Sequence, residues 1–246
     1  MLEGLDLGRA LRDALASQFE MEVVARSLFI RLLDEAPATA HLSHAAWHAW
    51  IDDIDAFKKM LPRDRSVEGL CFSYAAGSKA VLDDKTANHS IVNLGRGHLP
   101  VCPDDSWAWH DFDIAPGPQF LRLRLIDAWW DGDRIGAVSM FHDSALLAGP
   151  EGLRRIFHEY HVTALIDPTD YSLLLIDIVP GMLPFLTCHD ASTGTDRLIG
   201  QPVTALGRVV SREFAGTAGC THLNEALKAF QDIPGLVRQL ERYRLS

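Results

Sequence analysis

The stretch Gly216-Thr-Ala-Gly-Cys-Thr-His-Leu-Asn-Glu225 gathers more reactive residue types than any other part of the chain. Its glycines precede a helix start at which Thr221 fits as the N-cap. A cysteine at such a start faces the positive end of the helix dipole, which lowers its pKa and favours thiolate. His222, two residues on, suits metal ligation or proton exchange. The plainer reading is a small buried Cys220 beside a polar helix residue. A second group, Phe157-His-Glu-Tyr-His161, opens a strand. Alternation there places His158 and Tyr160 on one face and Glu159 and His161 on the other, so one histidine enters a site, not both. Glu159 is a candidate general acid or base if its face is buried, against the alternative of an ordinary polar strand end. A third group, Leu183 to Asp190, carries Cys188 where a strand runs out through Pro184. A histidine from a neighbouring strand, Cys188, and Cys220 or His222 would together form a mixed nitrogen and sulfur set that suits zinc or iron.

These groups need elements to position them. Apolar residues recur at helical spacing from Leu7 to Leu33, with Ala36-Pro37 closing the stretch, and His44 to Met60 reads as another helix. Residues 63–118 are rich in glycine and proline and read as loops, with short strands at Leu70–Tyr74 and Ser90–Leu94. After Pro118 the period becomes two. Phe120–Trp130 and Arg134–Leu146 flank the hairpin signal Asp131-Gly132; Leu153–Ile166 and Ser172–Val179 follow. Helical patterns at Pro202–Phe214, Thr221–Phe230 and Ile233–Tyr243 close the chain. The expected architecture is α+β: an antiparallel four-stranded sheet covered by C-terminal helices (residues 116–246), preceded by a mainly helical, loop-rich N-terminal region (residues 1–115). Ala10-Leu11, Phe19, Leu28 and Leu32 recur at one offset as Ala205-Leu206, Phe214, Leu223 and Leu227, which allows a degenerate repeat.

Composition bounds the function. The 246 residues are 48% hydrophobic and 23% charged, an ordinary globular balance. With 23 Lys+Arg against 33 Asp+Glu the net charge is −10, and no basic stripe runs along the sequence, which argues against nucleic-acid partners. No apolar run is long enough to cross a bilayer, and the start lacks a signal-peptide core. Four irregularly spaced cysteines fit a reducing cytoplasm rather than a disulfide framework. Gly95-Arg-Gly97 has no third glycine in place, so no nucleotide cofactor is expected.

The chain resembles the uncharacterised bacterial proteins grouped as domain of unknown function 2889. The resemblance rests on Ala108-Trp-His110, Met140-Phe-His-Asp-Ser144, His158-Glu-Tyr, Val162-Thr-Ala, Leu183-Pro, Cys188, Leu198-Ile-Gly200 and, most specifically, Gly219-Cys-Thr-His-Leu-Asn-Glu225. That family implies no activity. The run from His158 through Cys188 to Cys220 is also loosely similar to IscU/SufU iron–sulfur scaffolds, with His158 in place of the first cysteine. This second resemblance implies that His158, Cys188 and Cys220 surround one metal. An imidazole in place of a thiolate argues for a mononuclear zinc or iron site or a Cys/His pocket rather than cluster assembly.

The expected function is a small-molecule enzyme, a lyase or related acid/base catalyst (cyclase or hydrolase included). A metal would sit at His158, Cys188 and Cys220, while Glu159, Asp143 and His222 move protons. The alternatives are Cys220 as a thiolate nucleophile, or a non-catalytic metal- or ligand-binding protein descended from a scaffold fold. A homodimer would cover apolar surface left by the N-terminal unit.

Overall fold

The computed structural model describes residues 9–43, 46, 47, 50, 67–85, 95–99, 117–149 and 152–244. Most of the expected helix 44–60 and the strand Ser90–Leu94 lie outside them. Four long strands follow the expected order: β2 (Phe120–Asp131), β3 (Arg134–Leu146), β4 (Arg154–Ile166) and β5 (Leu173–Pro180) form an antiparallel meander. Two residues, Gly132 and Asp133, connect β2 to β3, and Gly132 takes the left-handed conformation (φ +64°) that such a tight turn requires. Among the described residues the sheet has five strands rather than four. A short β1 (Gly95–Gly97) pairs with residues 154–156 of β4, on the edge whose other end pairs with β5.

One face of the sheet is covered by C-terminal helices α5 (Leu206–Glu213), α6 (Thr221–Ala229) and α7 (Ile233–Arg244). The reason is the pattern along β3 and β4. Ile135, Ala137, Phe141, Tyr160, Val162, Ala164 and Ile166 all project to that side and are buried against Leu206, Val210, Leu223, Leu227 and Phe230. Small residues at Ala137, Ser139 and Ala164 let α6 approach, and Ser139 Oγ donates to the Ala226 carbonyl at 2.9 Å, fixing the helix on the sheet.

The N-terminal part departs from its pattern in three places. The stretch from Leu7 to Leu33 is broken into α1 (Arg9–Gln18), α2 (Glu20–Val24) and the start of α3 (Leu28–Leu42). Ser27 caps α3, accepting from Ile30 N at 3.4 Å. Proline at 37 does not end the helix: only one backbone bond is forgone, and Thr39 Oγ1 donates to the Glu35 carbonyl at 3.0 Å beside the interruption. Of the apolar stripe, Leu11, Leu15 and Ile30 form a small core; Val24 is exposed at the end of α2, and Leu28 and Leu32 face outward because the break at Ala25–Ser27 re-aims the following helix. The expected strand Leu70–Tyr74 is instead a single turn of 3₁₀ helix at Phe72–Tyr74; its backbone N–H from Phe72 donates to the Gly219 carbonyl at 2.8 Å rather than to a strand. A further short helix, α4, spans Lys79–Lys85.

Candidate functional site

Asp143 of β3 and His158 of β4 are directly opposite one another in the ladder and share the helix-covered face. A bulge at this point leaves Phe157 unopposed, since Asp143 faces His158 and Ser144 faces Ile156. His222, in the first turn of α6, arrives from above. Its ring stacks on that of His158 with centroids 3.5 Å apart and an interplanar angle of 15°, and meets the edge or face of Phe141 at 5.5 Å. Asp143 Oδ2 then lies 3.6 Å from His158 Nδ1 and 3.5 Å from His222 Nε2. One donor atom from each of Asp143, His158 and His222 falls within 4.8 Å of the other two.

The carboxylate is gripped from its other side. Arg122 of β2 donates through Nε to Oδ1 and through Nη2 to Oδ2, both at 2.8 Å, a bidentate pair. Asp143 is 0% and Arg122 5% exposed at the side chain. Burial alone would raise the Asp143 pKa. The bidentate hydrogen bonds and charge of Arg122, with the neighbouring His158 and His222 rings, outweigh it and hold the carboxyl well below its usual range. His222 moves down as well, chiefly by burial and then by its neighbour His158, so its imidazole is neutral with a lone pair to offer. His158 Nδ1 is buried without a hydrogen-bond partner.

The expected groups fall differently from their sequence roles. Of His158, Cys188 and Cys220, only His158 joins the convergent donors, and the other two members are Asp143 and His222, expected as proton carriers. Cys188 sits 3.0 Å from Ser73 Oγ, beneath the 3₁₀ turn at Phe72–Tyr74. Cys220, not Thr221, is the N-cap of α6, and its Sγ is 3.8 Å from His222 Nδ1. Glu159 lies on the opposite face of the sheet, 3.3 Å from His142 Nδ1 and 3.9 Å from the exposed His161. It therefore cannot move protons at the Asp143 group. Hydrogen bonding from His142 lowers its pKa against the opposing effect of burial. Tyr160 is buried in the core, its hydroxyl donating to the Cys188 carbonyl at 3.4 Å. Arg122 and Phe141 are the members that residue-type reasoning missed. Their signal is positional: Arg122 opposes Asp143, and Phe141 shares the face of Asp143 two residues away.

Burial opposes the helix-start argument for a Cys220 thiolate, pushing this thiol up, as it does Cys188. Iodoacetamide at neutral pH is expected to leave Cys188 and Cys220 unmodified in the folded chain and to label both in urea, as read by peptide mass spectrometry. Full labelling of Cys220 in the folded protein would reinstate the nucleophile.

Residues 126–234 match the model of a family described as "Protein of unknown function (DUF2889)". The match supports the family resemblance. It spans β3 through the start of α7 and so contains Asp143, His158 and His222, while Arg122 precedes it. No curated protein and no solved structure matches the chain. The likeness to iron–sulfur scaffolds thus finds no support. Among the described residues, no helix is long and apolar enough to cross a membrane.

Proposed function

We propose that this protein is a metal-dependent enzyme acting on a small organic molecule, a lyase or related acid/base catalyst, with a divalent ion held by Asp143, His158 and His222. The observation that carries this reading is the convergence of one carboxylate oxygen and two imidazole nitrogens, with His158 Nδ1 buried and 3.6 Å from Asp143 Oδ2, just beyond hydrogen-bond distance. Two histidines with one carboxylate suit zinc or iron(II) and leave coordination positions for substrate or water. When bound, the ion would polarise a carbonyl or lower the pKa of water. The chain's own residues supply the rest. Arg122 fixes the carboxylate, whose Oδ2 retains a lone pair for a further partner. Glu35 accepts from Arg122 Nη1 at 3.1 Å, offsetting the cation beside the site. Cys220 Sγ and Thr221 Oγ1, at 3.8 and 3.5 Å from His222 Nδ1, set that ring's orientation while Nε2 faces Asp143. The outward Met21, Val24, Leu28 and Leu32 support a homodimer within the same reading.

A second reading has one observation in its favour. Cys220 Sγ, His222 and Asp143 form a thiol–imidazole–carboxylate series, with steps of 3.8 and 3.5 Å. Burial of the thiol weighs against it.

Elemental analysis of protein purified without an affinity tag tests the proposal. About one zinc or iron per chain is expected, falling to roughly a tenth of that or less in His158→Ala and His222→Ala. Cys188→Ala should retain the wild-type content. Wild-type protein that holds no metal after growth and dialysis with zinc and iron(II) would sink the reading, as would metal retained in both histidine variants.

A further inference from the structure

A cleft of about 280 Å³ lies between the N-terminal helices and α6, separate from the Asp143 group. Its wall carries Arg12, Arg26, Arg31, Arg124 and Lys228 over an apolar base of Leu15, Val23 and Ile30. We propose that this cleft binds a small oxyanion, a phosphate or a carboxylate, on Arg26, Arg31, Arg124 and Lys228.

Charge is the first argument. The chain carries −10 overall, yet five cations line this cleft against three carboxylates, Asp34, Glu35 and Glu225. Asp232 adds a fourth acid, joined to Arg26 Nε at 2.9 Å and to Arg31 Nη1; Asp34 pairs with Arg12 and Glu225 with Lys228, both at 2.9 Å, so five cations face four acids and the group keeps one positive charge in excess. Each arginine offers five N–H donors. Among the described residues, the hydrogen bonds of Arg26 and Arg31 to Asp232 use Nε of one and a single Nη of the other, which leaves both guanidinium groups with donors to give.

The cations also crowd one another. Burial lowers the Arg124 pKa first, and Arg31 and Arg26 lower it further, against the opposing pull of Glu225 and Asp232. An anion placed among these groups relieves that repulsion and meets forked donors suited to planar or tetrahedral oxyanions. Arg26 takes φ +52° as the left-handed cap that ends α2, with Ser27 N–H donating to the Glu22 carbonyl at 3.0 Å, and Asp232 anchors its side chain on the cleft wall.

The position suits a ligand that works with the neighbouring site. Glu35 bonds Arg124 through one carboxylate oxygen and Arg122 through the other, and Arg122 grips Asp143. An oxyanion that draws Arg124 away from Glu35 therefore acts two side chains from the donor cluster. Binding itself does not depend on a metal, so it is measured without one.

The test is calorimetric titration of the full chain, treated with chelator at low ionic strength, with sodium phosphate and, separately, with sodium succinate. Saturable binding of at least one anion is expected, weakened about tenfold or more in Arg31→Gln and in Lys228→Gln, each of which loses one charge-assisted contact. Arg212→Gln, an exposed side chain on α5 outside the cleft, should bind as wild type. Binding of phosphate but not succinate assigns a phosphoryl ligand, and the reverse assigns a carboxylate. Either variant decides the matter if the other fails to fold, which circular dichroism reports. The proposal is overturned if neither anion saturates below about 10 mM, or if the folded variants bind as tightly as wild type. A metal-free wild-type protein would leave this outcome unaffected.

Discussion

Replacing Asp143 with asparagine is expected to lower the unfolding free energy by about 3–5 kcal/mol, the loss seen when one partner of a buried ion pair is removed. Asp143 is fully buried, and the Arg122 side chain that grips it is 5% exposed. The asparagine amide would turn an N–H₂ toward guanidinium N–H groups, setting donor against donor. Glu35 touches Arg122 only through Nη1, so whichever of Nε and Nη2 faces the new amide nitrogen loses its acceptor. Urea unfolding in chelator isolates this effect from metal release. Asp177→Asn, exposed on β5 of the same sheet, should change stability by no more than about 0.5 kcal/mol. A loss at Asp143 no larger than at Asp177 would show that the Arg122 pair contributes nothing net.

Phe141→Ala is expected to lose a similar amount, about 3–5 kcal/mol, through lost transfer energy and the cavity left behind. The ring is fully buried with Arg122 4.9 Å above its centroid and His222 against it at 5.5 Å. Alanine would therefore empty the floor beneath both the arginine clamp and the α6 histidine. Phe141→Leu keeps most of the volume and should lose about 1.5 kcal/mol or less. Chemical denaturation measures both. The proposed site adds a second readout, since metal affinity should fall in Phe141→Ala while every donor side chain is still present. A loss below about 1 kcal/mol in the alanine variant would mean that α6 collapses onto the space, and that the histidines do not depend on this ring.

The strands were legible because their causes are local. Alternating apolar residues and a turn glycine within two residues of both strands place β2 and β3 almost to the residue. The helical patterns after Pro202 are similarly self-contained; α5 and α6 lie within them and α7 runs one residue past its pattern, to Arg244. The partner of His158 was not legible. Counting back from the Leu146–Arg154 pair that closes the β3–β4 hairpin puts His142 opposite His158 and Asp143 opposite Phe157. The bulge at Phe157 moves the register by one residue, and only then does Asp143 face His158. No turn signal in the sequence announces that extra residue.

Cys220 shows the same division between local and global causes. Its place at a helix start is local and visible, and from it a lowered pKa follows. Its burial at 4% exposure comes from residues distant in sequence, including the turn that Phe72 holds against Gly219, and it reverses the direction.

By itself, then, the sequence determined the α+β class, the order of the strands and C-terminal helices, and the alternation that separates His158 from Glu159, because each depends on residues a few positions apart. Tertiary structure alone decided which residues meet. Asp143, His158 and His222 come from two strands and a helix, Arg122 from a third strand, and the cationic cleft from α1, α2, α3, β2 and α6. Histidines 15 and 79 positions from Asp143 reach its one carboxylate oxygen only after the register, the bulge and the docking of α6 are all fixed, and those are properties of packing rather than of any local pattern.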